Sequence, residues 1–285
     1  MKVLVTGVKG QLGYDVCRVL EQRGISYLGA GREEFDLTDE EKTRQFITDY
    51  HPDAVIHCSA WTAVDAAEDE PEKVYAVNEG GTRTIAQVCK EIGAKMVYIS
   101  TDYVFPGDGE RFYEPEDQTG PKSVYGSSKL KGEQAVKELL DRYFIVRISW
   151  VFGIHGKNFI KTMLRLAETK TELGVVSDQI GSPTYTADLA VLLCDMIETE
   201  QYGTYHATNE GTCSWAEFAE EIFRLAGKDV TVHHILTKDY PAKAARPLNS
   251  RMSKQKLENA GFHRLPGWQD ALQRYLEELK GEADA

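Results

Sequence analysis

A tyrosine and a lysine stand four residues apart in Tyr125-Gly126-Ser127-Ser128-Lys129, at the head of a predicted helix that runs to about Leu140. On a helix that spacing puts both side chains on one face, one turn apart. A phenol with a pKa of about 10 is a poor proton donor or acceptor near neutrality. A lysine ammonium beside it favours the phenolate, lowers that pKa and makes proton transfer practical. Thr101 follows a predicted strand, Lys95 to Ser100, and its hydroxyl stands where it can hydrogen-bond a substrate carbonyl. Taken alone, the pair is equally plain helix surface and Thr101 an ordinary strand-end hydroxyl. The segments upstream supply the context.

Lys2 to Thr6 is apolar and β-branched, the composition of a buried strand. Gly7-Val8-Lys9-Gly10-Gln11-Leu12-Gly13 follows, then a helix to about Arg23 with Val16, Val19 and Leu20 on its apolar face. Glycines let backbone approach a ligand, and a helix N-terminus offers N–H groups to a pyrophosphate. Gly7, Gly10, Gln11, Leu12 and Gly13 are therefore assigned to a dinucleotide. After a second strand, Ser26 to Ala30, Arg32 either meets a 2′-phosphate or is solvated or paired with Glu33 or Glu34. The first alternative favours NADPH and leaves NADH possible. Asp36 and Leu37 come next and are counted with the cofactor residues; Thr38-x-x-Glu41 reads as a capping box.

The third strand, Ala54 to Cys58, opens onto Ser59-Ala60-Trp61-Thr62-Ala63-Val64-Asp65. Small residues at a strand mouth let backbone lie against a cofactor, which assigns Ala60, Trp61 and Thr62 there. Trp61 either covers the cofactor or belongs to the core. Asn78 and Gly81 interrupt a helical pattern from Val74 to Glu91, which calls for a packing or functional explanation. Residues 106–121 are polar and Gly/Pro-rich, a long loop of the kind that covers sites. Tyr143 to Ile148 is the fifth strand. The pattern is α/β: a Rossmann-type doubly wound parallel sheet with a smaller α/β substrate-binding lobe. Residues 1–150, with about 186–208 returning to the sheet, form the first part; about 151–185 and 209–285 form the lobe.

In the second half, helices are expected from Asn158 to about Lys170, Thr186 to Glu198, Ser214 to Ala226, Lys254 to Asn259 and Trp268 to Leu279. Ser214-x-x-Glu217 is a capping box. Strands are expected at Thr171 to Val176 and, half-buried, at Val230 to Ile235; 282–285 is expected to fray. Lys238, Lys243, Arg246 and Arg251 make a basic stretch that is either a solvated loop or a clamp on a nucleotide diphosphate, a task suited to an arginine fork. The net charge of −12 points away from nucleic acid and anionic membranes as partners. Five scattered cysteines without a Cys-x-x-Cys pair fit free thiols in a reducing cytoplasm, with neither disulfides nor zinc. No signal peptide is apparent, and no apolar run approaches the roughly 18 residues of a membrane helix.

Gly7-x-x-Gly10-x-x-Gly13, Thr101 and Tyr125-x-x-x-Lys129 together resemble the extended short-chain dehydrogenase/reductase superfamily. Within it the chain resembles the dTDP-4-dehydrorhamnose reductase family. The carriers are Gly10-Gln11-Leu12-Gly13, Trp61-Thr62-Ala63-Val64-Asp65, Ser100-Thr101-Asp102-Tyr103-Val104-Phe105 and Arg147-Ile148-Ser149-Trp150-Val151-Phe152-Gly153. Asp178-Gln179-Ile180-Gly181-Ser182-Pro183-Thr184 and Arg246-Pro247-x-Asn249-Ser250 extend the likeness along the chain. Departures are Cys58-Ser59 for Asn-Ala or Ala-Ala, Trp61 for tyrosine and Pro106 for aspartate.

The resemblance implies a nicotinamide-dependent reduction of the C4 ketone of a dTDP-linked 6-deoxy-hexulose. Tyr125 would give the proton, Thr101 would donate to the developing alkoxide, and Lys129 would hold the nicotinamide ribose. Thr62, Val64, Thr101, Asp102, Tyr103, Trp150 and Arg246 would meet the dTDP-sugar, Trp150 being otherwise ordinary core. The alternatives are an epimerase of the same superfamily and a non-catalytic NADP-binding regulatory subunit. A dehydratase would want Asp-Glu after Thr101, where this chain has Asp102-Tyr103. The chain is expected to be a monomer or a homodimer. Some members dimerise through Mg²⁺, for which Asp15 is either a ligand or a solvated helix acid; no metal residue is assigned.

Overall fold

The computed structural model describes residues 1–283. Its sheet is built from β1 (Lys2–Thr6), β2 (Ser26–Ala30), β3 (Ala54–His57), β4 (Lys95–Thr101), β5 (Tyr143–Ile148) and β6 (Gly203–His206). The order is β6-β5-β4-β3-β1-β2, and every neighbouring pair is parallel. The strands run as near-continuous apolar stretches because both faces are covered. Alternate residues point to opposite faces. Val3 and Val5 pack with Val16 and Leu20 of α1 (Gln11–Gln22) on one side. Leu4 packs on the other, in a cluster that takes Ile47 of α2 (Glu40–Tyr50), Ile85 of α3 (Thr82–Ile92) and Val136 of α4 (Val124–Leu139). This is the doubly wound α/β arrangement, with β1 and β3 flanking the point where the strand order reverses.

A further core lies among α5 (Phe159–Leu166), α7 (Trp215–Ala226) and α8 (Trp268–Ala283), against a small parallel pair, Glu172–Val176 with Thr231–Ile235. Between these elements α6 (Thr186–Ile197) packs Leu189 and Leu193 into the first core, and β6 pairs with β5 at the sheet edge. The capping box at Ser214 and Glu217 is formed.

Several expectations need correction. The cap of α2 is Asp39, which accepts from Lys42 N; Thr38 is instead held by Asp36, through both its N–H and its hydroxyl. The interrupted helix is three pieces: Pro71–Tyr75, a π-helical turn at Ala76–Gly81, and α3. Thr231–Ile235 is mostly exposed, with Val232 partly buried against the core around α7. The last helix continues to Ala283; 284–285, within the stretch expected to fray, lie outside the described residues.

Candidate active site

The loops after β1 and β3 meet at the reversal point with no side chain between them. Gly7 has φ +73°, and a Cβ there would lie 2.8 Å from Ser59 N; a Cβ on Gly13 would lie 2.3 Å from Gly7 O. Gly10 caps α1 without a side-chain hydrogen bond, so the helix start keeps its N–H groups for an anion. The cradle fits the pyrophosphate of a dinucleotide. Gln11 turns its amide away, accepting from Gly153 N at 2.9 Å and Asn158 Nδ2 at 3.1 Å, which ties the loop to the segment leading into α5.

At the far end of the cradle Arg32 is exposed and pairs with Asp36 at 3.2 Å, not with Glu33 or Glu34. Glu33 takes Lys9, and Glu34 accepts from Gly31 N. Hydrogen bonds from Thr38 hold the Asp36 carboxyl below the usual carboxylate range, against its burial. Leu37 abuts Gly81, where a Cβ would come within 2.8 Å of the Leu37 Cβ.

The cradle opens into one cleft of about 1590 Å³. Every residue assigned to cofactor, substrate or catalysis lines it, from Gly7, Arg32 and Leu37 through Ala60, Thr62 and Val64 to Tyr125, Trp150 and Arg246. Residues 106–121, expected to cover a site, supply none of its described wall. Their polar groups are spent elsewhere: Gly107 O accepts from Asn249 N, Tyr113 bridges Met252, and Pro115 O accepts from Arg147.

α4 starts at Ser123, whose hydroxyl accepts from Gly126 N, and so presents Tyr125 and Lys129 to the cleft one turn apart. Gly126 lets the helix lie against the turn after β4, since a Cβ there would be 2.3 Å from Tyr103 O. The Tyr103 and Tyr125 rings meet edge to face at 5.4 Å. The expected depression of the phenol pKa is not what this arrangement produces. Burial pushes Tyr125 up, and Asp102 and Tyr103 add to the rise; only a Thr101 hydroxyl that donated its proton to the phenol would work against them. Burial also pulls Lys129 down to about 7, with Glu133 and Cys58 opposing. Its ammonium sits 4.1 Å from the centre of the Tyr98 ring. Two desolvated groups side by side each favour their neutral form.

The strand-end hydroxyl differs from expectation as well. Thr101 Oγ1 donates to Asp102 Oδ1 at 2.9 Å and accepts from Tyr103 N at 3.3 Å. Ser250 Oγ donates to the other Asp102 oxygen at 2.5 Å. Asp102 lines the cleft, but both its oxygens are committed; burial raises its pKa to about 6, with Ser250 and Thr101 opposing.

Three groups of residues beneath the site escaped the sequence. Asn78, on the π-helical turn, accepts from Trp61 N at 2.8 Å and donates to Trp61 O and Ser128 Oγ. The broken helix pattern at Asn78 and Gly81 was its signal. Glu133 receives both Arg147 Nε and Nη2, at 2.8 and 2.7 Å, and the Ser100 hydroxyl at 2.6 Å. Burial alone would raise Glu133; Arg147 outweighs it and the net direction is down. Its spacing of four from Lys129 was the available signal. Ser250 lay within a quoted motif, without a role.

Trp61 is half-buried and wall rather than core, its indole N–H donating to Ala63 O. Trp150 has φ +50° and stacks on Trp215 at 3.8 Å; it both lines the cleft and packs on the core around α7. Of the basic stretch only Arg246 reaches the cleft, donating to Asp65 at 2.6 Å and Tyr103 Oη at 3.3 Å. Lys243 pairs with Asp69, and Arg251 donates to Asn249. Lys238 lines a smaller neighbouring hollow. Asp15 is not a solvated helix acid: it is 2% exposed, accepts from the Thr186 hydroxyl and pairs with Arg18 at 3.1 Å. Among the described residues no group of three or more His, Cys, Asp or Glu side chains is arranged to hold a metal ion. None of their helices is long and apolar enough to cross a membrane.

The model of the family described as "RmlD substrate binding domain" matches residues 1–280. The spore coat polysaccharide biosynthesis protein SpsK of Bacillus subtilis is 42% identical over 283 residues, 99% of each chain. A dTDP-4-dehydrorhamnose reductase of Streptomyces griseus is 41% identical over 287 residues, 98% of this chain and 94% of that one. The crystal structure of dTDP-4-dehydrorhamnose reductase from Bacillus anthracis in complex with NADP superposes with a TM-score of 0.95 at 43% identity, covering 97% of this chain and 99% of that one. With a glycine cradle, a Tyr-Lys pair and a strand-end threonine gathered in one cleft, and relatives matching end to end, this chain belongs to the dTDP-4-dehydrorhamnose reductase family.

Proposed function

We propose that the chain reduces the C4 ketone of dTDP-4-dehydro-L-rhamnose to give dTDP-L-rhamnose, with NADPH as the preferred reductant and NADH as a second. The observation that carries this is the convergence of Thr101, Tyr125 and Lys129 in the cleft that also contains the glycine cradle. Bound NADPH supplies a hydride to the ketone carbon. Tyr125 gives its proton to the oxygen that gains charge, and its raised pKa keeps that proton in place until then. Lys129 holds the nicotinamide ribose. Gly7, Gly10, Gln11, Leu12 and Gly13 receive the pyrophosphate. Arg32, set free from Asp36, meets a 2′-phosphate. Asp36 and Leu37 border the adenosine; Ala60, Trp61 and Thr62 wall the cofactor.

Thr62, Val64, Tyr103 and Trp150 surround the sugar, and Arg246 clamps the diphosphate once released from Asp65. Asp102 acts behind Thr101 rather than on the sugar. In this division 1–150 and 186–208 hold the cofactor, and 151–185 with 209–285 hold the nucleotide sugar. One chain supplies the whole cleft, which suits a monomer or a homodimer working in the cytoplasm.

The test mixes the protein with NADPH and dTDP-4-dehydro-L-rhamnose and follows nicotinamide absorbance. Stoichiometric loss with dTDP-L-rhamnose as product is expected; tight cofactor binding without consumption would favour a regulatory subunit. Tyr125→Phe is expected to bind NADPH as the parent does and to turn over on the order of 10²-fold or more slower, the scale of general acid catalysis. Full activity in that variant would refute the assignment.

A further inference from the structure

Ser250, Asp102 and Thr101 form a chain of hydroxyl, carboxylate and hydroxyl immediately behind Tyr125. All three are buried, at 2%, 3% and 5% exposure. Ser250 comes from the segment that crosses from α7 back toward the sheet, and its position is held from both sides. Its N–H donates to Ile180 O at 2.8 Å, and the preceding Asn249 donates through its N–H to Gly107 O and through Nδ2 to Arg111 O. Gly181 makes room for it, since a Cβ there would lie 3.0 Å from the Ser250 Cβ.

The direction of each hydrogen bond follows from the inventory of protons. An ionised carboxylate only accepts. Ser250 has one hydroxyl proton and Thr101 has one, and both point at Asp102. Tyr103 N–H also points at the Thr101 oxygen. Thr101 therefore has no proton left for the cleft, only a lone pair. We propose that Asp102, braced by Ser250, is a positioning residue that pins the Thr101 proton, so that Thr101 meets the Tyr125 phenol as an acceptor. An acceptor beside a phenol stabilises its protonated form. That is the form a ketone reduction consumes, so the chain stores the proton on Tyr125 until the substrate oxygen competes for it. The proposal deepens the reductase assignment and rests on it for its meaning, though not for its test.

The other ionisable groups facing Tyr125 are Tyr103 from the turn after β4, Tyr98 from β4 and Lys129 on its own helix; Arg246 reaches Tyr103 from the crossing segment. The test leaves all of them in place. Position 125 carries 3,5-difluorotyrosine, an acidified phenol whose ionisation fluorine NMR follows within the pH range of the folded full-length protein, without substrate.

Thr101→Val removes the hydroxyl at nearly constant volume. If Thr101 accepts, the phenol loses a partner for its protonated form and titrates lower, by about one pH unit. If Thr101 donates, the same change moves the titration upward, and the proposal is overturned. Asp102→Asn and Asp102→Leu remove the same charge, but only the asparagine keeps an acceptor for the Thr101 proton. The leucine variant is expected to titrate below the asparagine variant by a similar amount; coincident curves would mean that Asp102 acts by charge alone and would also overturn the proposal. Should Asp102→Leu not fold, the sign from Thr101→Val still decides. Absence of NADPH consumption by the parent protein would refute the reductase assignment and leave this titration interpretable.

Discussion

Lys129 is held in surroundings that oppose its charge. It is buried beside the Tyr98 ring and Cys58, with Glu133 one turn further along α4 as its compensating anion. Burial takes its pKa to about 7, below the value of about 10.4 for an exposed lysine. A lysine with a depressed folded pKa destabilises the fold fully below that pKa, and the penalty fades as pH rises toward the unfolded value. Lys129→Met is therefore expected to melt a few degrees higher than the parent at or below pH 7, while losing turnover. The gap should close as pH is raised from about 7 toward about 10, which thermal unfolding across that range would measure. A melting temperature that falls at neutral pH would show the ammonium to be a structural necessity. His57 sits in the same layer, between the hydroxyls of Thr6 and Thr82, and burial with the nearby Lys129 charge holds it neutral, at about 3.

At the scale of elements, the π-helical turn explains why Asn78 and Gly81 break an otherwise apolar helix face. A π turn inserts one extra residue per turn and re-aims the side chains around it. Here it brings Asn78 to both backbone groups of Trp61 and to Ser128 on α4, and lets Gly81 pass close to Leu37. Cofactor wall and proton-donor helix are thus held by one amide. Asn78→Ala leaves the Trp61 N–H without its acceptor, at a cost of about 1–3 kcal/mol. Urea unfolding should show that loss. The KM for NADPH should rise more than kcat falls, because the displaced element is Trp61 rather than Tyr125. An unchanged KM would detach the turn from cofactor binding.

For the whole molecule, the buried Arg147–Glu133 pair joins the most parts. Arg147 stands on β5 and reaches Glu133 on α4, the Pro115 carbonyl in the long loop and, at 4.9 Å, the Phe105 ring. Ser100 on β4 completes the set through Glu133. Breaking such a pair from one side leaves a buried charge uncompensated. Arg147→Met should therefore cost about 3–5 kcal/mol in denaturant unfolding, and Arg147→Met with Glu133→Leu should recover most of it. Failure of the double variant to recover would mean that the pair's other hydrogen bonds, to Pro115 and Ser100, dominate. A second polar set links α1, α6 and α8: Arg18 reaches Glu278 at 2.7 Å, Tyr185 donates to Glu278, and Arg274 grips Asp188 with both terminal nitrogens. Asp15, by sequence alone either a metal ligand or a solvated helix acid, is buried because these helices converge on it.

Local order along the chain was sufficient for the sheet and the cradle. Three of the first five strands, Lys2–Thr6, Ser26–Ala30 and Tyr143–Ile148, begin and end where their apolar runs do, and the other two differ by one residue. Such runs, glycine spacing and an i, i+4 pair are set by neighbours in sequence, and every residue they nominated lines the cleft. What only the tertiary structure decided is where protons and charges rest. Whether Thr101 donates depends on Asp102 and on Ser250, 148 residues beyond Asp102. The pKa values of Tyr125 and Lys129 depend on burial by distant segments, and the loop at 106–121 became a buttress because Arg147 and Asn249 consumed its carbonyls. Desolvation and hydrogen-bond direction are sums over everything that surrounds a group, and sequence spacing reports only the neighbours on its own element.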